Sequence, residues 1–252
     1  MAGAPTPLPQ SRLGTTLRRD AWWTELLPVW ILLGGFGVYA TLRAFEGQYY
    51  EWAPYLSPFY SPLIDAHHQW WKLSPALLIL IFPLGFRMTC YYYRKAYYRA
   101  FFLDPPACAV DESPTRKYRG ESKFPFILQN VHRYFLYAAL IFLGFLWHDA
   151  YLAFFFDGNF GIGLGTLIML ANVILLSFYT LSCHSLRHIA GGKLDCFSCA
   201  TFGTPRAAAW RGFSFLNERH MIFAWASLIS VGATDFYIRL LASGAIHDLR
   251  IL

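Results

Sequence analysis

The stretch that decides the fold is Gly163-Leu-Gly-Thr-Leu-Ile-Met-Leu-Ala-Asn-Val-Ile-Leu-Leu-Ser-Phe-Tyr-Thr-Leu-Ser-Cys-His-Ser-Leu186, which holds no Lys, Arg, Asp or Glu. A helix of that length crosses a hydrocarbon layer of about 30 Å, which needs roughly 20 residues. Four further windows meet the same test, at about 24–43, 73–93, 126–148 and 221–243. The whole chain supports the reading, with 56% hydrophobic, 19% aromatic and 14% charged residues. That is too apolar for an ordinary soluble domain. A lipid-exposed backbone must satisfy its own hydrogen bonds, so the five windows are read as transmembrane helices of an all-α polytopic protein. Residues 1–252 form one membrane domain, which opens with a basic arm at 1–23 that ends in the interfacial aromatics Trp22-Trp23.

Charge sets the expected orientation. Of the 21 Lys and Arg, 17 fall on the N-terminal arm, the 87–133 connection and the 187–219 connection; the remaining four are Arg43, Lys72, Arg239 and Arg250. The positive-inside rule then places the N-terminus inside and the C-terminus outside. The same bias accounts for the net charge of +6, and no nucleic-acid partner is implied. Cys90, Cys108, Cys183, Cys196 and Cys199 all fall on the inner side, where thiols stay reduced, so a secreted disulfide framework is not expected. Residues 1–23 lack the apolar core of a cleavable signal peptide.

Chemistry concentrates just after the opening stretch, in Ser-Cys-His-Ser-Leu-Arg-His-Ile-Ala-Gly-Gly-Lys-Leu-Asp-Cys-Phe-Ser-Cys (182–199). If the helix continues, His184 and His188 share one face about 6 Å apart. Gly191-Gly192 supplies a C-cap and a reversal, and Cys196-x-x-Cys199 then offers two thiols at metal-binding spacing. The set His184, His188, Cys196, Cys199 suits a structural zinc, a two-iron cluster with two thiolate and two imidazole ligands, or no metal at all. Cys183 and Cys90, at similar depth on two helices, stand in reserve for the Cys-x-x-Cys pair, with His132 and His220 as further donors.

Other ionisable residues mark the ends of the spans. On the inner side lie Arg87, His132, Arg133 and His220, and on the outer side Asp65, His67, His68, His148 and Asp149. Such residues in a membrane are functional candidates by default. Asp235 and Arg239, four residues apart, are expected to neutralise one another. The run 86–99 alternates aromatic and basic residues at the inner interface, which suits lipid headgroups and also a soluble protein partner.

Thr-Cys-Tyr-Tyr-Tyr-Arg-Lys-Ala-Tyr-Tyr-Arg (89–99), Pro-Pro-Ala-Cys-Ala-Val (105–110), Asn-Val-His-Arg-Tyr (130–134) and Cys-His-Ser-Leu-Arg-His (183–188) on five helices resemble the single-chain membrane anchor of actinobacterial succinate dehydrogenase. The likeness runs over nearly the whole chain. It implies a subunit that does no chemistry on succinate, sits beneath a flavoprotein and an iron-sulfur subunit, and passes electrons to a membrane quinone, menaquinone or ubiquinone. Relatives carry haem b, whereas the clustered Cys and His of this chain favour a Rieske-type [2Fe-2S] cluster. The quinone is expected either at the outer set His67, His68, His148, Asp149 or at the inner set Arg87, His132, Arg133, His220. The rival reading is a transporter of an anionic substrate, for which matching broken helices and an inverted repeat are missing from the sequence. Whether the complex forms a higher oligomer stays open.

Overall fold

The structure is a computed structural model that describes residues 20–64, 74–101, 126–192 and 194–252. The arm at 1–19, the loop at 102–125 with Cys108, and the outer-site candidates Asp65, His67 and His68 lie outside the described residues. Among the described residues four helices are long and apolar enough to cross a membrane: α1 Trp23–Glu46, α4 His132–Leu152, α5 Leu164–Leu181 and α8 His220–Ala242. The second window is instead a bent pair, α2 Ala76–Thr89 and α3 Tyr91–Phe101, turned by 78° at Cys90. Two shorter helices, α6 His184–Arg187 and α7 Gly203–Asn217, fill the basic connection between α5 and α8.

α5 packs along α8, α4 joins them to α2, and α1 closes the bundle against α2 and α8. The α2–α4 approach depends on Gly85, where an added Cβ would stand 2.3 Å from the Phe135 ring. α1 starts irregularly around Pro28, with a 3-10 turn at Trp22–Leu26 and a π turn at Trp30–Gly34, because proline gives the helical ladder no N–H. Many outward side chains are large and apolar, Ile31, Leu42, Ile81, Ile141 and Ile229 among them. They face lipid, so water does not penalise their exposure.

At the end opposite the basic connections, the 47–64 segment folds back over the bundle. It forms a hairpin, β1 Glu51–Trp52 with β2 Tyr55–Leu56, in the register Glu51↔Leu56 and Trp52↔Tyr55. Tyr55 is fully buried; its hydroxyl donates to Asp248 at 2.6 Å, and burial beside that carboxylate pushes its pKa up. Asp248 also accepts from Tyr237 at 2.6 Å and from the Gly165 amide at 3.0 Å, so the C-terminal tail is tied to the start of α5. A second hairpin, β3 Phe155–Phe156 with β4 Asn159–Phe160, turns at Asp157-Gly158, both with positive φ as a two-residue turn of this hand requires.

Asp235 and Arg239 pair as expected, Nε to Oδ2 at 2.8 Å, in a larger network. Asp235 also accepts from Tyr39 at 2.6 Å and from Ser57, while Arg239 reaches Glu46 at 2.9 Å and the Gln48 carbonyl at 2.6 Å. Both charges are compensated and buried, which fixes α1 and the 47–64 segment against α8.

The expected windows are corrected at three places. The 126–148 helix opens with a 3-10 turn at Phe126–Val131 and becomes α-helical only from His132. The 73–93 window breaks at Cys90, and the 163–186 window stops at Leu181, so neither Cys sits inside a helix. The reason is local: both cysteines adopt extended backbone.

Candidate functional site

The two breaks face each other at the basic end of the bundle. Each is a hydroxyl residue followed by a cysteine, Thr89-Cys90 after α2 and Ser182-Cys183 after α5, and a new helix starts directly behind each cysteine. The carbonyl of each cysteine accepts from the turn that follows it, Cys90 from the Arg94 amide at 2.9 Å and Cys183 from the Arg187 amide at 3.1 Å.

His132 opens α4 and His220 opens α8, and the four residues make two crossed pairs. His132 Nε2 lies 3.2 Å from Cys183 Sγ, and His220 Nε2 lies 3.4 Å from Cys90 Sγ. The other ring nitrogens meet the hydroxyls: Thr89 Oγ1 is 2.9 Å from His132 Nδ1, and Ser182 Oγ is 2.6 Å from His220 Nδ1. Each hydroxyl has one proton, and each donates it to a carbonyl, Thr89 to Gly85 at 2.7 Å and Ser182 to Tyr179 at 2.9 Å. Both hydroxyls therefore accept from the histidines, so both Nδ1 atoms carry the proton and both Nε2 lone pairs point at thiols. That is how outer partners prepare a histidine to bind metal.

Aromatic rings fill the space between the pairs. Phe86 stacks on His132 at 4.8 Å, Tyr179 stacks on His220 at 5.2 Å, and the two meet edge to face at 5.4 Å. Cys90, Cys183, Phe86, Tyr179, Tyr93, Leu136, Ala224 and Leu228 form one buried cluster, which keeps water out. Arg87 borders it. Its guanidinium donates to Tyr93 Oη at 2.6 Å, to Ser227 Oγ at 3.0 Å and to the Ala224 carbonyl at 3.3 Å, and stands 4.6 Å over the Tyr179 ring. Among the described residues no carboxylate pairs with it, although a cation in hydrocarbon calls for a counter-charge. The Tyr179 hydroxyl is buried and finds no hydrogen-bond partner among the described residues.

The donors meet as two thiol–imidazole pairs, and among the described residues no three His, Cys, Asp or Glu converge on a point that suits a single ion. Two thiols and two imidazoles are donors of the kind that hold zinc or an iron-sulfur cluster.

The first-ranked ligands of the sequence reading are not brought together. Cys196 and Cys199 are joined by a disulfide, His188 Nδ1 lies 3.3 Å from Arg133 Nη2, and His184 is exposed. The early stop of α5 explains this, because it puts His184 and His188 on α6 and the π turn at His188–Gly192, beyond the buried cluster. The reserve donors Cys90, Cys183, His132 and His220 are the ones that meet. Of the inner quinone candidates, Arg87, His132 and His220 share this site, whereas Arg133 is exposed beside it. Of the outer ones, Asp149 accepts from Ser61 at 2.5 Å and has the exposed His148 3.7 Å away. Sequence reasoning missed Thr89 and Ser182 as partners; the signal was a hydroxyl–cysteine dipeptide at the polar end of two apolar runs.

These features define a multi-pass helical membrane protein with a buried thiol–imidazole site at its basic face. The profile of the actinobacterial succinate dehydrogenase subunit SdhC matches residues 24–244, and the chain belongs to that family. It is similar to a chain of the Mycobacterium smegmatis Sdh1 complex in the apo form, with 47% sequence identity, 98% coverage of each chain and a TM-score of 0.82. No curated protein matches it. The protein is therefore the membrane anchor subunit of a bacterial succinate dehydrogenase complex and works in the plasma membrane beside the other subunits.

Proposed function

We propose that this anchor relays electrons from the soluble iron-sulfur subunit to a membrane quinone, and that Cys90, Cys183, His132 and His220 hold a Rieske-type [2Fe-2S] cluster for that purpose. The observation that carries the reading is the crossed geometry, in which each Nε2 stands within 3.4 Å of a buried thiol while each Nδ1 rests on a hydroxyl. Such a cluster stores one electron at a potential that imidazole ligation raises toward the quinone range.

The chain's own residues supply the rest. Thr89 and Ser182 hold the imidazoles in place, Arg87 offsets the thiolate charge, and the Tyr179 hydroxyl has a proton left to donate. The Phe86/Tyr179 layer keeps water away, and with it proton leakage. A haem b between His132 and His220 would need the space those two rings occupy, which disfavours the haem reading. Transport of an anion is disfavoured by the same packing, because Phe86, Tyr93 and Tyr179 fill the space between the two pairs.

The basic face then meets the cytoplasm, and the flavoprotein and iron-sulfur subunits dock there on the α3 surface with Arg94, Lys95 and Arg99. Assigning His132 and His220 to the cluster withdraws two of the four inner quinone candidates, so the quinone is placed toward His148 and Asp149 at the far end. A relay is needed when the quinone lies beyond easy reach of the soluble clusters. Iron and acid-labile sulfide in the purified complex test the ligand set. Cys90→Ser and Cys183→Ser complexes should each lack two irons and two sulfides per anchor, while Cys196→Ser and Cys199→Ser keep them. Full iron in the first pair, or its loss in the second, would contradict the set and favour Cys196 and Cys199 instead.

A further inference from the structure

The disulfide between Cys196 and Cys199 sits on the connection that the Lys and Arg distribution assigns to the cytoplasmic side. Thiols there are held reduced, and a disulfide found there is usually transient, either catalytic or sensing. A stabilising role is weak on general grounds, because the bond closes a loop with a sequence separation of 3 and short loops gain least from closure. The proposed relay does not use either residue.

Both sulfurs are placed for exchange. Cys199 is exposed and Cys196 half-buried. Cys196 Sγ accepts the Cys199 amide at 3.2 Å and lies 3.2 Å from the Ser198 hydroxyl, whereas Cys199 Sγ is 4.0 Å from the same hydroxyl. Negative charge is thus better received on Cys196, which makes it the leaving group.

From this geometry we infer that Cys196 and Cys199 form a redox-active pair that opens from disulfide to dithiol by exchange with a cytoplasmic dithiol and recloses by the reverse exchange with a disulfide of the same class. A thiolate of the reductant attacks Cys199 Sγ, the Cys196–Cys199 bond breaks, and Cys196 departs as a thiolate. The second thiol of the reductant then attacks the mixed disulfide and releases Cys199. The pair gains two electrons and two protons, and the reductant leaves as a disulfide.

The bond also fixes Phe197, one of the two residues it encloses. Phe197 packs on Trp210 of α7 with centroids 6.0 Å apart. An added Cβ at Gly191 would stand 2.7 Å from the Phe197 ring, and one at Gly203 would stand 1.7 Å from its carbonyl oxygen. Phe197 thereby clamps the turn after α6 onto α7, and opening the pair loosens that clamp.

The test is differential alkylation of the intact complex in glutathione buffers of graded ratio, read by peptide mass spectrometry, with zinc measured on the same samples. The 196/199 peptide should pass reversibly from protected to doubly alkylated as the buffer becomes reducing, and hydrogen exchange over residues 194–203 should rise at least tenfold in step. A Cys196→Ser/Cys199→Ser complex should show the fast exchange in every buffer. Alkylation at all ratios, protection that survives excess dithiothreitol, or one zinc retained per chain with both thiols shielded would each overturn the proposal. So would exchange over 194–203 that ignores the state of the pair.

Discussion

Cys90 and Cys183 share one backbone conformation, φ −64° and ψ 129° for the first, φ −62° and ψ 133° for the second, at breaks in two different helices. Each follows a hydroxyl residue that holds the histidine belonging to the other cysteine. Thr89 holds His132, which faces Cys183, and Ser182 holds His220, which faces Cys90. The crossing ties α2, α4, α5 and α8 together at one point.

If those hydroxyls orient metal-binding imidazoles, Thr89→Val and Ser182→Ala should weaken metal retention by about 10–100-fold, the usual cost of losing such a partner. Iron release under a chelator challenge measures it. Thr89→Ser keeps the hydroxyl and should behave as wild type, whereas equal retention in all three variants would mean that the contacts are packing only.

The Asp235–Arg239 network predicts an asymmetric cost. Arg239→Met strands a fully buried carboxylate and should destabilise the complex by about 3–5 kcal/mol, as removal of one partner from a buried pair does. Asp235→Leu/Arg239→Met removes both charges and should recover part of that loss. Thermal unfolding of the detergent-solubilised complex distinguishes this from a network without stabilising value, for which the single variant would unfold like the parent.

The spans were legible because hydropathy over twenty residues reports directly on lipid. The Asp235–Arg239 pair was legible because i and i+4 neighbour one another on any helix. The meeting of Cys90, Cys183, His132 and His220 was legible only as a reserve. Spacing within 182–199 pointed to a local site, while the donors that meet come from four elements separated by up to 130 residues along the chain. Nothing in Cys90 or Cys183 alone marks an extended residue, so two windows read as unbroken helices. A hydroxyl–cysteine step repeated at the same depth was the available clue.

Docking should depend on α3. Replacing Arg94, Lys95 and Arg99 together by Glu reverses charge at the basic face, where like charge across an interface costs several kcal/mol. The soluble subunits should leave the membrane fraction on washing. Succinate dehydrogenase activity that stays membrane-bound would show those side chains to be lipid contacts.

For the quinone, His148→Ala should slow quinone reduction, toward the roughly 10²-fold that loss of a positioned acid–base group costs. Succinate oxidation with a soluble electron acceptor should be unchanged. Arg133→Ala, exposed beside His188, should leave both activities intact. The reverse pattern would move the quinone to the basic face.

The most direct measurement of the central claim is electron paramagnetic resonance of the succinate-reduced complex, taken together with its visible spectrum. If the anchor holds a cluster on two imidazoles and two thiolates, the spectrum should contain a Rieske-type signal of low average g beside those of the soluble subunit. That signal should vanish in Cys90→Ser and Cys183→Ser complexes that still oxidise succinate. A stoichiometric b-haem Soret band from this subunit, or zinc at the site with no cluster iron, would contradict it.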